Sequence, residues 1–152
     1  GGRSRRGTGE RDGARPRRPP AALPRERRLI LGVGVAWIDV PRFEAAERRH
    51  GVRLHRRLFT EQELRYAAAR ARGVESLAVR FAAKLAARRA LGLSRAHWQE
   101  IEVVRRRGEA PGLRFHGRAA EAAERSGVTR AALTLTHDPA CCVGQVVLES
   151  DA

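Results

Sequence analysis

The texture of the chain breaks at residue 29, and that break limits what it can fold into. Residues 1–28 are rich in Arg, Gly and Pro and show no apolar periodicity. They are followed by Leu29-Ile30-Leu31-Gly32-Val33-Gly34-Val35-Ala36-Trp37-Ile38. A run of this length, stopped by Pro41, is too short for a membrane span and reads as a buried β-strand. Its two glycines mark places where another backbone comes close. Residues 1–28 lack the apolar surface to offset the entropy of ordering and are expected to form a disordered leader or linker. Residues 29–150 then form the folded domain.

Local signals divide that domain. Phe43 to Arg49 suits a short helix. Thr60-Glu61-Gln62-Glu63 is a capping box, predicting a helix that runs to about Arg72. Val74, Leu77, Ala78, Phe81 and Leu85 recur at helical spacing and predict one apolar stripe on a helix from Val74 to Leu91, closed by Gly92. Ile101–Arg105 and Leu113–Phe115 flank the turn Gly108-Glu109-Ala110-Pro111 and suit a hairpin. Arg118–Arg125 suits a helix stopped by Gly127. Ala132–Thr136 and Val143–Leu148 suit two closing strands. The order β-α-α-α-β-β-α-β-β defines an α+β domain.

Charge narrows the partners. The chain has 31 Lys+Arg against 17 Asp+Glu, a net +14. Ten Arg and three acids fall in residues 1–28, so half of the excess belongs to the folded part. Such a surface suits an acidic protein, a phosphate-rich small molecule or nucleic acid. Phe43, Phe59 and Tyr66 are too dispersed for a base-stacking platform, which ranks nucleic acid last. Cys141 and Cys142 are adjacent, form no C-x-x-C and cannot frame a disulfide network; they suit a reducing, cytoplasmic setting as small buried hydrophobes. No apolar run approaches the ~18 residues of a membrane span, and the basic N-terminus lacks a secretory apolar core. The chain contains no Met, so the sequence is expected to be trimmed or part of a longer one, such as a domain of a larger synthase.

Five strings go further than composition: Gly32-Val33-Gly34-Val35 with Arg42-Phe43; Phe59-Thr60-x-x-Glu63-Leu64; Arg80-Phe81-Ala82-Ala83-Lys84; Trp98-x-x-Ile101-Glu102-Val103; and Thr134-Leu135-Thr136-His137. In order and spacing they resemble the holo-acyl-carrier-protein synthase type of 4′-phosphopantetheinyl transferase, over about residues 29–149. The resemblance implies that family's fold and a homotrimer with active sites between subunits. It also implies a reaction that moves the phosphopantetheine arm of coenzyme A onto a serine of an acyl carrier protein, with Mg²⁺ on the pyrophosphate.

Carried over position by position, the resemblance assigns Lys84 and His137 to catalysis, and Arg80, Lys84, Thr134, Thr136 and His137 to coenzyme A. Lys84 is the one lysine in the chain, and a compact ammonium differs in kind from a guanidinium fork. Arg42, Arg48, Arg49, Arg53, Arg56 and Arg57 would dock the acidic carrier protein. The chain departs from the family at both metal carboxylates, whose matching residues are Ala36 and Leu85. Leu85 falls on the predicted apolar stripe and should pack against the strand bearing Ala36. Asp39, Glu75 and Asp138 are the candidate replacements for holding Mg²⁺, with a helix cap for Asp39 and a salt bridge for Glu75 as the competing roles. Two readings remain: a transferase with an altered metal site, or a domain that docks a loaded carrier and is inactive as a transferase or performs metal-free acid–base chemistry, such as dehydration, with His137 and Asp138.

Overall fold

The structure, a computed structural model, describes residues 28–95 and 97–151. The expected leader falls outside them except for Arg28, which opens the first strand. The elements run β1 (Arg28–Asp39), α1 (Val40–Leu58), α2 (Glu61–Ala68), α3 (Gly73–Leu91), a 3₁₀ turn (Trp98–Glu100), β2 (Ile101–Val104), β3 (Gly112–Phe115), α4 (Gly117–Arg125), β4 (Arg130–His137) and β5 (Cys141–Asp151). The α+β order read from the sequence is the order found.

β1, β5 and β4 form one antiparallel sheet in the order β1-β5-β4, and β2 pairs with β3 in a separate hairpin. Register places Ala36, Gly144 and Leu135 in one cross-strand row, and Val35, Gln145 and Thr134 in the next. Alternation sends the first row toward α3 and the second to the opposite face. β1 reaches α3 closely because it presents glycine: a Cβ on Gly34 would lie 1.8 Å from the Ala86 carbonyl oxygen, and one on Gly32 2.2 Å from that of Ala90.

α3 is buried nearly all round, not along one stripe as its periodicity suggests. Ala78, Ala82, Ala83, Ala86 and Ala87 are wholly inaccessible, and Arg80 and Lys84 are buried with them. Small residues let strands and helices close in from several sides, which the spacing of the large apolar residues does not reveal. One core cluster gathers α1, α2 and the first half of α3 around Phe43, Phe59 and Leu77. The other joins β1, β5, β2 and α4 to the second half of α3 around Ala36, Ile101 and Val146. Gly92 ends the helix at φ 67°.

α1 departs most from expectation. Asp39 caps it by accepting from the Arg42 N–H at 2.9 Å. Pro41 lies in its first turn, where a missing N–H costs nothing. The helix continues past Arg49 to Leu58, broken at Gly51, whose φ of 39° and ψ of −111° no helix tolerates. α2 stops at Ala68, short of Arg72.

Candidate active site

α2, the first half of α3, the β2–β3 hairpin and β4 enclose a cavity of about 530 Å³, a size typical of small-molecule sites. Tyr66, Arg72, Glu75, Arg80, Arg105 and His137 supply its polar and aromatic lining. Arg80 is its fixed element. The first of its terminal nitrogens donates to the Ser76 hydroxyl at 2.7 Å and to the Ser76 carbonyl at 3.3 Å. Its guanidinium carbon lies 4.0 Å from the Tyr66 ring centre, and that of Arg70 approaches the same ring at 4.4 Å. Burial lowers the Arg80 pKa, yet its Nε is buried without a partner. An unpartnered buried donor in a cationic cavity suits an anionic ligand.

His137 enters from the end of β4. Its Nδ1 lies 2.6 Å from Glu75 Oε1, and Arg72 approaches Glu75 Oε2 at 3.5 Å. Glu75, expected in a salt bridge, thus holds the imidazole as well. The cavity combines several guanidiniums with one oriented acid–base pair, an arrangement that can neutralise phosphates and move a proton.

The structure places several of the expected site residues apart from this cavity. Lys84 does not line this cavity. Its side chain is 0% exposed, and Nζ donates to Glu63 Oε1 at 2.5 Å and to the Trp98 carbonyl at 3.1 Å. Burial pulls its pKa below the usual lysine range, and Glu63 opposes that. An ammonium so enclosed ties α3 to α2 and to the 3₁₀ turn. Thr134 and Thr136 are exposed on the far face of the sheet, because alternation gives Leu135 and His137 to the cavity. Asp138 does not pair with His137. Its Oδ1 accepts from the Ala140 and Cys141 N–H groups at 2.7 and 2.8 Å, closing the turn before β5, and the Cys141 and Ala140 bonds hold its carboxyl below the ordinary range.

The three candidate replacement carboxylates do not converge either. Asp39 caps α1, Asp138 closes a turn and Glu75 holds His137. Among the described residues no three His, Cys, Asp or Glu side chains are grouped to hold a metal ion. Ala36 is 1% exposed in the second core cluster, and Leu85 packs against the same cluster, as its place on the helix suggested. Arg42, Arg48, Arg49, Arg53, Arg56 and Arg57 are all exposed, but the Gly51 break divides them between two helical segments.

Sequence reasoning gave no site role to Glu63, Glu102, Tyr66, Arg72 or Arg105. Glu63 looked fully used as a capping-box residue. It does accept from the Thr60 N–H at 2.9 Å, but it also accepts from Lys84 and from the Val103 N–H at 3.1 Å. Glu102 accepts from the Thr60 hydroxyl at 2.8 Å and lies 3.3 Å from His116 Nε2. A glutamate inside the apolar string Ile101-Glu102-Val103 was the available signal.

Comparison with known proteins gives this geometry its family. Residues 32–143 match the model of the 4′-phosphopantetheinyl transferase superfamily. The chain is 40% identical over 124 residues to the holo-[acyl-carrier-protein] synthase of Koribacter versatilis, covering 80% of this chain and 99% of the relative. The crystal structure of the Neisseria meningitidis holo-[acyl-carrier-protein] synthase superposes with a TM-score of 0.73 at 25% identity, over 80% of this chain and 100% of that one. A Bacillus anthracis holo-(acyl-carrier-protein) synthase in complex with CoA (3′,5′-ADP) superposes with a TM-score of 0.65 at 28% identity, over 80% and 98%. The chain belongs to the 4′-phosphopantetheinyl transferase superfamily, among relatives of the holo-acyl-carrier-protein synthase type.

Proposed function

We propose that the chain binds coenzyme A with its phosphates in the Arg80 cavity and transfers the phosphopantetheine arm to a serine of an acyl carrier protein. The carrying observation is the convergence of Arg72, Arg80 and Arg105 with the Glu75–His137 pair on one cavity. In the reaction the serine oxygen bonds to the phosphorus bearing pantetheine. The bond from that phosphorus to the bridging pyrophosphate oxygen breaks, and 3′,5′-ADP leaves with the electron pair. His137, oriented by Glu75, takes the serine proton. The guanidiniums offset the charge that grows on the leaving phosphate.

The residues do not fit Mg²⁺ at the matching positions. Ala36 and Leu85 offer no oxygen to a hard cation and sit in an apolar cluster, so no step is assigned to a metal. That same observation favours a second reading, in which coenzyme A and carrier binding persist without transfer. Acid–base chemistry on a loaded carrier would then use His137 with Glu75, since Asp138 is engaged in its turn.

Two associations complete the reading. The acidic carrier docks on the exposed arginines of α1, from Arg42 to Arg57. The outer face of the sheet packs on copies of the chain in a homotrimer: Val33, Val35 and Trp37 are 53%, 50% and 59% exposed there, beside Thr134 and Thr136. An apolar stripe on a sheet face is otherwise left to water. Among the described residues no helix is long and apolar enough to cross a membrane, and free Cys141 and Cys142 suit a reducing cytoplasm.

Calorimetric titration with coenzyme A in the presence of EDTA tests the cavity. Saturable binding that weakens about tenfold or more in Arg72→Gln/Arg105→Gln supports it. Absence of saturable binding, or binding indifferent to those substitutions, refutes it.

A further inference from the structure

A second concentration of cations lies at the other end of α3. A cavity of about 350 Å³ opens where Arg57 of α1, Arg88 of α3, Trp98 of the 3₁₀ turn and Arg118 of α4 meet, with Arg95 and His97 at its edge. Among the described residues no carboxylate lines it. Four guanidiniums on other surfaces are matched: Arg28, Arg65, Arg72 and Arg114 each meet a glutamate at 3.9 Å or less. Among the described residues Arg57, Arg88, Arg95 and Arg118 form no such pair.

The floor of this cavity is fixed. Arg88 Nε donates to the Leu93 carbonyl at 3.2 Å, and one terminal nitrogen donates to the Ser94 carbonyl. Its guanidinium carbon lies 4.8 Å from the Trp98 ring centre. Trp98 packs edge-on with Phe81, ring centres 5.2 Å apart, and its carbonyl accepts from Lys84. The cavity is therefore anchored to the buried Lys84–Glu63 pair. Glu100, in the same 3₁₀ turn, does not line the cavity; its Oε2 accepts from the Ala119 N–H at 3.3 Å.

Like charges around a concave surface repel, and the concavity focuses their field. A compact anion relieves that repulsion. Guanidinium forks match the oxygens of a tetrahedral oxyanion. Arg88 already covers the Trp98 ring, which favours a small oxyanion over a nucleobase. Arg80 and Arg88 are eight residues apart on one helix, ~12 Å along its axis. We propose that this cavity is a second site, distinct from the Arg80 cavity, that binds a phosphate group. The proposal goes beyond the transferase reading and does not depend on it.

The test uses Trp98 as reporter. In Trp37→Phe, the full chain keeps Trp98 as its single tryptophan, and inorganic phosphate is titrated while its emission is followed. The expected result is a saturable change, reproduced by sulfate and about tenfold weaker or more with acetate, a monoanion. Adding Arg57→Gln/Arg118→Gln, both at exposed positions, weakens phosphate about tenfold or more. Adding Arg72→Gln/Arg105→Gln at the other cavity leaves it unchanged. Emission that does not saturate overturns the proposal without recourse to the charge variants. Indifference to Arg57→Gln/Arg118→Gln, or loss with Arg72→Gln/Arg105→Gln, overturns it equally.

Discussion

Lys84 Nζ lies 2.5 Å from Glu63 Oε1, with both side chains fully buried. The pair joins α3 to α2, and through the Val103 N–H and the Trp98 carbonyl it also holds β2 and the 3₁₀ turn. Removing one partner leaves a charge in the core without its counter-ion, which costs about 3–5 kcal/mol. Lys84→Met and Glu63→Leu should each lose that order of stability in chemical denaturation. The double variant should lose much less than the sum of the two. Additive losses would show that the two groups do not act as a pair.

Gly34 faces backbone at a distance no Cβ tolerates. Gly34→Ala should force β1 off α3, lowering the melting temperature and the soluble yield. Gly144→Ala, whose Cβ would stand 2.8 Å from the nearest Ala82 atoms, should be the milder change. Thermal melts of the two variants check the ranking; equal melting temperatures would contradict the close packing of β1 on α3.

Burial pushes the Cys142 thiol from 9.0 up to about 12, with Glu75 adding to it. The unfolded chain loses this proton near its ordinary value, whereas the folded chain keeps it. Between about pH 9 and 12 the unfolded state therefore binds fewer protons, and stability falls as pH rises, by up to about 1.4 kcal/mol per pH unit from this group. Below about pH 9 the two states are equally protonated and the contribution is flat. Cys142→Ala should lose less stability than the parent between about pH 8 and about pH 10.5, and the parent's Cys141 should react with thiol reagents well before Cys142. Parallel pH curves for the two proteins would refute the buried thiol.

Trp37 is the largest side chain on the outward row of β1, at 59% exposure. In the proposed homotrimer Trp37→Glu should shift sedimentation from trimer toward monomer while leaving the circular dichroism spectrum intact. A parent chain that sediments as a monomer at micromolar concentration would overturn the assembly.

The fold was legible because its signals are local. The glycine-bearing strand, the capping box at Thr60, the terminating Gly92 and the hairpin turn each act within a few residues, and the structure keeps all four, although β1, expected to be buried, is covered on one face only. The long α1 was not legible, since Pro41 reads equally as the end of a strand or the first turn of a helix. Arg80 and His137, singled out by their strings, both line the larger cavity. The burial of Lys84 was not legible, because a lone lysine carries no direction, and only the meeting of α2 with α3 shows that Glu63 encloses it. The His137–Glu75 pair depends on residues 62 positions apart, which no local pattern encodes. Thr134 and Thr136 came with His137 in one string of the resemblance, and strand alternation turns them to the opposite face of the sheet.

The most direct test is the intact mass of an apo acyl carrier protein incubated with the chain and coenzyme A, with and without EDTA. The expected result is a gain of one phosphopantetheine arm that persists in EDTA and falls when Arg80 is replaced by Met, with 3′,5′-ADP released in equal amount. No gain, with coenzyme A and carrier still bound, would contradict transfer and leave the non-transferring reading; a gain abolished by EDTA would contradict the assignment of the reaction to this chain's own cations.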